Sequence, residues 1–279
     1  MILRIVRWSI SLGILSFLVL GCGSSNILVD FGTVTDESLL FQAKQNMNDG
    51  LWSDALDNFD QMSVDFLTRR DVIYVHANAY AGRCGLNFME FVESLGNIGS
   101  NTLFGFLMQT YTSATLTIAD DCAQAEALIK SISDDPALRT ANENVFMAFL
   151  GFTKIGAFLG AIADTDNDGS PDGGFDSCAG GSISDDQVKE VGTGLANALT
   201  SLSASGSSIG GDQVTDIDSM CTAINSNLGA SYNFCEATNK DDVTADMIKG
   251  IRSIIGEGQA LGIGSCAAVP NNLPNCACP

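Results

Sequence analysis

Residues 145–163 read VFMAFLGFTKIGAFLGAIA, nineteen positions with a single charge, Lys154. A helix of this composition is apolar on every side. It has to be wrapped on every side too, by lipid or by other parts of the protein. Its length meets the threshold for a membrane span. However, Gly151, Gly156, Ala157, Gly160 and Ala161 interleave with Phe146, Phe149, Phe152, Phe158 and Leu159. Small residues about four apart let helices approach closely in water as well as in lipid. The expectation is a central helix sheathed by its neighbours. A membrane-associated helix and a helix lining an apolar ligand cavity are the alternatives.

The rest of the chain supplies neighbours of the same kind. From Thr35 onward the apolar spacing is helical, strand-like alternation is scarce, and only five prolines interrupt the chain. Helices are expected over 36–48, 53–67, 70–82, 87–95, 101–118, 121–132, 136–163, 185–204, 213–227 and 242–256. The fold class is therefore all-α. The tail from Gly256 is rich in Gly, Asn and Pro and carries three cysteines, so it is expected to wrap the surface under disulfide restraint.

The N-terminus has a different character. Arg4 and Arg7 precede an apolar run from Trp8 to Leu20, and small residues then surround one cysteine. That is the layout of a secretory signal, too short for a comfortable membrane span. Leu20-Gly21-Cys22 resembles the lipobox of bacterial lipoproteins. The resemblance implies a signal peptide over 1–21, cleavage before Cys22, and diacylglycerol on its thiol with a further acyl chain such as palmitate on the new amino terminus. Several chains on one residue give a durable anchor, since each buried CH₂ contributes about 0.8 kcal/mol. Residues 22–35 would form a lipidated tether. Gly23 stands where the enterobacterial sorting rule places an inner-membrane Asp, which points to the outer membrane of the cell envelope, on its periplasmic or surface face.

Removing 21 of 279 residues leaves 258, enough for one large domain. Loss of Arg4 and Arg7 takes the net charge from −20 to −22. That balance argues against nucleic acid and against adhesion to anionic lipid, which need basic patches. With Cys22 acylated, eight cysteines remain: Cys84, Cys122, Cys178, Cys221, Cys235, Cys266, Cys276 and Cys278. An even number in an exported chain points to disulfides. Zinc is disfavoured because there is no CxxC pair and His76 is the only histidine. Eight cysteines allow 105 pairings. Cys84–Cys122 is the one pairing suggested by position, since both lie in the N-terminal half, away from the other six.

Paired carboxylates can mean acid–base catalysis. The doublets Asp120-Asp121, Asp134-Asp135, Asp185-Asp186 and Asp241-Asp242 each precede a helical pattern, and capping explains them better. Ser184-Asp185-Asp186-Gln187 matches a capping box. Pro136 after Asp135 suits a first helical position. His76 has no nucleophile near it in sequence, so its role is expected to be structural.

Residues 36–93 contain a self-similarity with a period of 34. Leu39 aligns with Ile73, Ala43 with Ala77, Asn46 with Tyr80, Gly50 with Cys84 and Ala55 with Met89. The first copy, LLFQAKQNMNDGLWSDALDNF, resembles a tetratricopeptide repeat (TPR). Ala43 stands at the helix contact, Gly50 at the turn, and Trp52, Ala55 and Phe59 in the second-helix pattern. The second copy keeps Ala77 and Tyr80, then departs, with Met89 for a small residue and Glu93 for an aromatic. The resemblance implies antiparallel helical pairs over 36–163 that bind a partner.

Directly after the apolar stretch comes Asp164-Thr165-Asp166-Asn167-Asp168-Gly169-Ser170-Pro171-Asp172, followed by Asp176. Calcium takes several hard oxygen ligands, and alternate positions of a tight loop aim carboxylates at one point. Asp164, Asp166 and Asp168 would supply side-chain oxygens, Ser170 its carbonyl, and Asp172 a direct or water-mediated ligand. The pattern resembles EF-hand, dockerin and thrombospondin type 3 loops. Phe175 stands where an EF-hand has its bidentate Glu, and Asp176 is the substitute. Residues 164–279 would thus hold a structural Ca²⁺ site and a disulfide-rich helical part, in one unit with 36–163.

No nucleophile motif, phosphate loop or histidine-based metal site accompanies these features, so the chain does not read as an enzyme. The leading expectation is a lipid-anchored helical scaffold that binds an envelope protein. The alternative is a ligand-binding or transport-accessory lipoprotein with an apolar tunnel. It resembles in outline the TPR-type lipoproteins that accompany TRAP transporters, and its ligand would be a small apolar molecule.

Overall fold

The computed structural model describes residues 34–95, 101–206, 221–222, 224–259, 261–266 and 275–278. Cys22, the signal and the tether up to residue 33 lie outside them. The architecture of the described residues is carried by α1 Asp36–Asn48, α2 Trp52–Phe59, α3 Val64–Leu67, α4 Arg70–Arg83, α5 Phe88–Leu95, α6 Leu103–Thr110, α7 Leu116–Ile132, α8 Ala141–Ala163, α9 Asp185–Ser205 and α10 Ala245–Gly256. Residues 221–222 and 224–227 are also helical, at the end of the expected 213–227 helix. The earlier part of that helix lies outside the described residues. There is no strand among the described residues, so the fold is all-α.

The expected central helix is α8. It packs along α9, α7 and α6, and Ile155, Ala157, Leu159 and even Lys154 are completely buried. By length and composition α8 could cross a membrane, but most of it is sheathed by protein. The small residues explain how closely it is sheathed. A Cβ on Gly151 would collide with the Gly194 carbonyl of α9, and one on Gly156 with the Leu107 carbonyl of α6. Each glycine admits a different neighbour.

Several expected boundaries are corrected by caps that the apolar pattern hides. The span 53–67 breaks into α2 and α3, because Ser63 caps α3 through Phe66 N–H while Asp36 accepts from both its amide (2.8 Å) and its hydroxyl (2.5 Å). The span 101–118 ends at Thr110, and α7, capped by Thr115, begins five residues before the expected start. Asp120 and Asp121 therefore lie inside α7 rather than at its cap. Asp121 instead accepts two 2.7 Å bonds from Arg83 on α4. The span 136–163 opens with a separate 3₁₀ turn, Pro136–Leu138, capped by Asp135. A Thr140–Glu143 capping box then starts α8. Asp241-Asp242 belongs to a 3₁₀ turn, and Thr244 caps α10. The Ser184–Gln187 capping box stands where the sequence placed it.

α1 and α2 form a hairpin over Gly50, and α2 packs on α4. Ala43, Ala55, Phe59 and Ala77, the TPR-like positions, are all fully buried. Beyond that, α4 packs along α7 rather than α5, and Cys84–Cys122 joins the two. α5 instead lays Phe91 against Phe106, Phe149 and Phe152. Apolar side chains collect in two cores, a large one around α8 and a smaller one of α1, α2 and α3 with Val72 and Ala79 of α4. Tyr80 touches both.

The C-terminal part is stapled as its composition suggested. Cys221 pairs with Cys235 and Cys266 with Cys276, while Cys178–Cys278 closes a span of 100 residues. The described residues from Asp36 onward pack as one unit.

Candidate calcium loop and the buried charges beside it

The acidic loop begins where α8 can no longer continue. Asp172 N–H donates to the Ala163 carbonyl at 2.6 Å and closes the loop. Asn167 (φ 61°) and Gly169 (φ 83°) turn left-handed inside it, a conformation that Asn tolerates and Gly adopts freely. Gly169 packs against Gln109 and Thr112, so the loop rests on the end of α6.

This turn gathers three carboxylates. Asp164, Asp166 and Asp168 each bring an oxygen to within 4.8 Å of the others. Calcium–oxygen distances of about 2.4 Å let one ion bridge oxygens that far apart. The loop amides already hold the set. Asp164 accepts from Asp168 (2.9 Å) and Gly169 (3.1 Å), and Asp168 accepts from Ser170 (2.8 Å). Each carboxylate still has lone pairs to offer, since two oxygens provide about four acceptor sites. Asp164 is fully buried at the root of the loop. Burial pushes its carboxyl up, the two amides pull it down, and the nearby charges of Asp168 and Asp166 push it up again, with a net rise.

The other expected ligands are engaged differently. Asp172 accepts from the hydroxyl (2.6 Å) and amide (3.2 Å) of Thr165, which hold its carboxyl below the ordinary range. Asp176 accepts from Cys178 N–H at 2.9 Å. The structure thus brings together Asp164, Asp166 and Asp168, while Asp172 and Asp176 fasten the loop to itself. Arg252 of α10 anchors the next stretch. It is buried, and donates to the carbonyls of Ser177 and Ile183 and to Asp185.

Sequence reasoning missed the surroundings of Lys154. Its ammonium lies 2.6 Å from Glu126 of α7, 3.0 Å from Glu190 of α9 and 2.9 Å from the Thr193 hydroxyl. Glu126 also pairs with Lys130 (2.8 Å) and Glu190 with Lys240 (2.8 Å), which carries the network toward solvent. Burial pulls the Lys154 ammonium down, but the two carboxylates outweigh it and its pKa is raised. A lone lysine in an apolar helix signals that acceptors must meet it if it is to stay charged. Which ones do so depends on how α7 and α9 are placed.

Comparison with protein-family models, with curated proteins and with solved structures finds no match.

Proposed function

We propose that the protein is an exported helical scaffold, anchored in the bacterial envelope by acylated Cys22, that binds an envelope protein and carries a structural calcium ion in the loop after α8. It works by binding and has no catalytic step. The lipobox-like Leu20-Gly21-Cys22 supports the anchor, and Gly23 after it supports a place at the outer membrane.

The observation that carries the calcium reading is the convergence of Asp164, Asp166 and Asp168 at the end of the central helix. Three carboxylates so close repel one another, and a divalent cation reverses the sign of that interaction. Loop carbonyls and water would complete an oxygen shell. The ion would clamp the turn between α8 and the segment held by Arg252 and Cys178–Cys278.

Partner binding is supported by α5, which leaves Phe88, Met89 and Val92 exposed on an otherwise acidic molecule. A few exposed apolar side chains on one short helix make a small docking patch. An apolar tunnel would need a cavity beside α8. The two grooves described, about 290 and 470 Å³, are lined by residues 83–118, and α8 contributes to neither.

Calorimetry on the mature protein tests the calcium site. The expected result is one calcium-binding event that Asp166→Ala removes; no binding, or binding that survives the substitution, refutes it. For the partner, a photocrosslinker at Met89 should trap an envelope protein in cells while one at Gln124 does not. Equal labelling by palmitate of wild type and Cys22→Ala would refute the anchor.

A further inference from the structure

The chain has one histidine, and the fold places it at a joint. His76 lies on α4 where the α1–α2 hairpin meets the rest of the molecule. Its ring stacks on Phe59 of α2 at 4.3 Å and 10°, and leans on Tyr80 at 5.1 Å. Phe59 belongs to the small core, whereas Tyr80 touches both cores. The Nε2 atom is sealed from solvent and has no hydrogen-bond partner.

We propose that His76 is a proton-operated latch, which fastens the α1–α2 hairpin onto α4 when neutral and loosens it when protonated, while the remaining helices stay packed. A charged imidazolium would leave an N–H donor sealed without an acceptor, so protonation carries its desolvation penalty uncompensated. The aromatic faces of Phe59 and Tyr80 return only part of that penalty as cation–π attraction. Asp60, just past α2, is the charge that reaches the ring and favours protonation. Tyr80 is the other titratable group against it, and itself feels Asp60, Arg83 and Asp121. Burial prevails over Asp60 and holds the His76 pKa down at about 4.

The sign follows from linkage. A folded pKa below the free value of 6.5 makes the closed joint fully stable above pH 6.5 and progressively weaker as pH falls toward 4. If opening the hairpin restores the free value, the opening constant at pH 5 rises by at most about 30-fold over that at pH 8. The carboxylates Asp36, Asp71 and Glu143 near the hairpin are held below their ordinary values and do not titrate in this window. Asp120 and Asp164 are raised, but they belong to α7 and to the acidic loop.

Hydrogen exchange of the mature protein with its disulfides intact, followed by peptide mass spectrometry at pH 8 and pH 5 and corrected for intrinsic rates, tests the latch. Peptides from 36–59 should open about 10- to 30-fold more at pH 5, with peptides from 141–163 unchanged. His76→Phe, which keeps a stacked ring, should abolish the difference. The same rise in His76→Phe, no rise in wild type, or equal opening of 141–163 overturns the proposal. Should His76→Phe not fold, the single histidine resonance of the wild-type protein decides it by proton NMR: a midpoint near 4 is expected, and one near 6.5 overturns the latch.

Discussion

Replacing Lys154 by methionine should destabilise the protein by about 3 kcal/mol, although it removes the only charge from the apolar part of α8. Methionine matches the lysine stem in length and suits an apolar site. The penalty comes from the partners, because Glu126 and Glu190 stay buried without the ammonium that lay 2.6 and 3.0 Å away. Breaking a buried pair by removing one member costs about 3–5 kcal/mol. The lower end applies here because Lys130 still holds Glu126 and Lys240 still holds Glu190. Urea unfolding at pH 7 with disulfides intact measures the difference, from midpoints at constant slope. The companion variant is Lys154→Met with Glu126→Leu and Glu190→Leu, which removes every charge at the centre of the network. It should recover most of the lost stability, because a packed apolar replacement of a buried ion network is neutral or stabilising. There is a pH signature as well. The Lys154 pKa is raised above 10.5, so its contribution is complete below that pH and fades as pH climbs past it. Lys154→Met should lose this alkaline component. A cost below about 1 kcal/mol for the single variant, or a triple variant as unstable as the single one, would refute the reasoning.

Glu143 should behave in the opposite pH sense. It accepts from Arg70 and from the Thr140 amide, and the Arg70 guanidinium leads in holding its carboxyl down at about 2. Glu143→Gln should cost about 1 kcal/mol above pH 5. Urea titrations should show that cost shrinking as pH falls from 4.5 toward 2, where the wild-type carboxylate itself becomes protonated. Gly151→Ala should cost about 1–2 kcal/mol despite the better helix propensity of alanine, because its Cβ meets the Gly194 carbonyl and two backbones have to separate. Gly173→Ala, where a Cβ meets nothing, is the control and should be near neutral by the same unfolding assay.

Some of this molecule is settled by the sequence. The continuous apolar run of 145–163 demands enclosure whatever encloses it, and the helical spacing around it supplies only helices to do so. The Ser184–Gln187 capping box is local chemistry, complete within four residues, and appears where it was read. The same holds for the acidic loop, whose alternate aspartates converge because the turn that gathers them is built from Asn167 and Gly169. Other features needed tertiary structure, because their partners are distant in the chain. Asp120-Asp121 reads as a cap until Thr115 is seen to start α7 and Arg83 to claim Asp121. The break between α2 and α3 depends on Asp36, 27 residues away, bonding to Ser63. Cysteine spacing restricts the disulfides only weakly, whereas the fold chooses the pairs by which Cα atoms it brings near, as in Cys178–Cys278 across 100 residues. Lys154 shows the division most clearly. Its presence in an apolar helix calls for polar partners if the ammonium is to stay charged, a matter of desolvation. That they are Glu126 and Glu190 was decided by the packing of α7 and α9 against the same helix, where glycines let α9 come close enough to reach it.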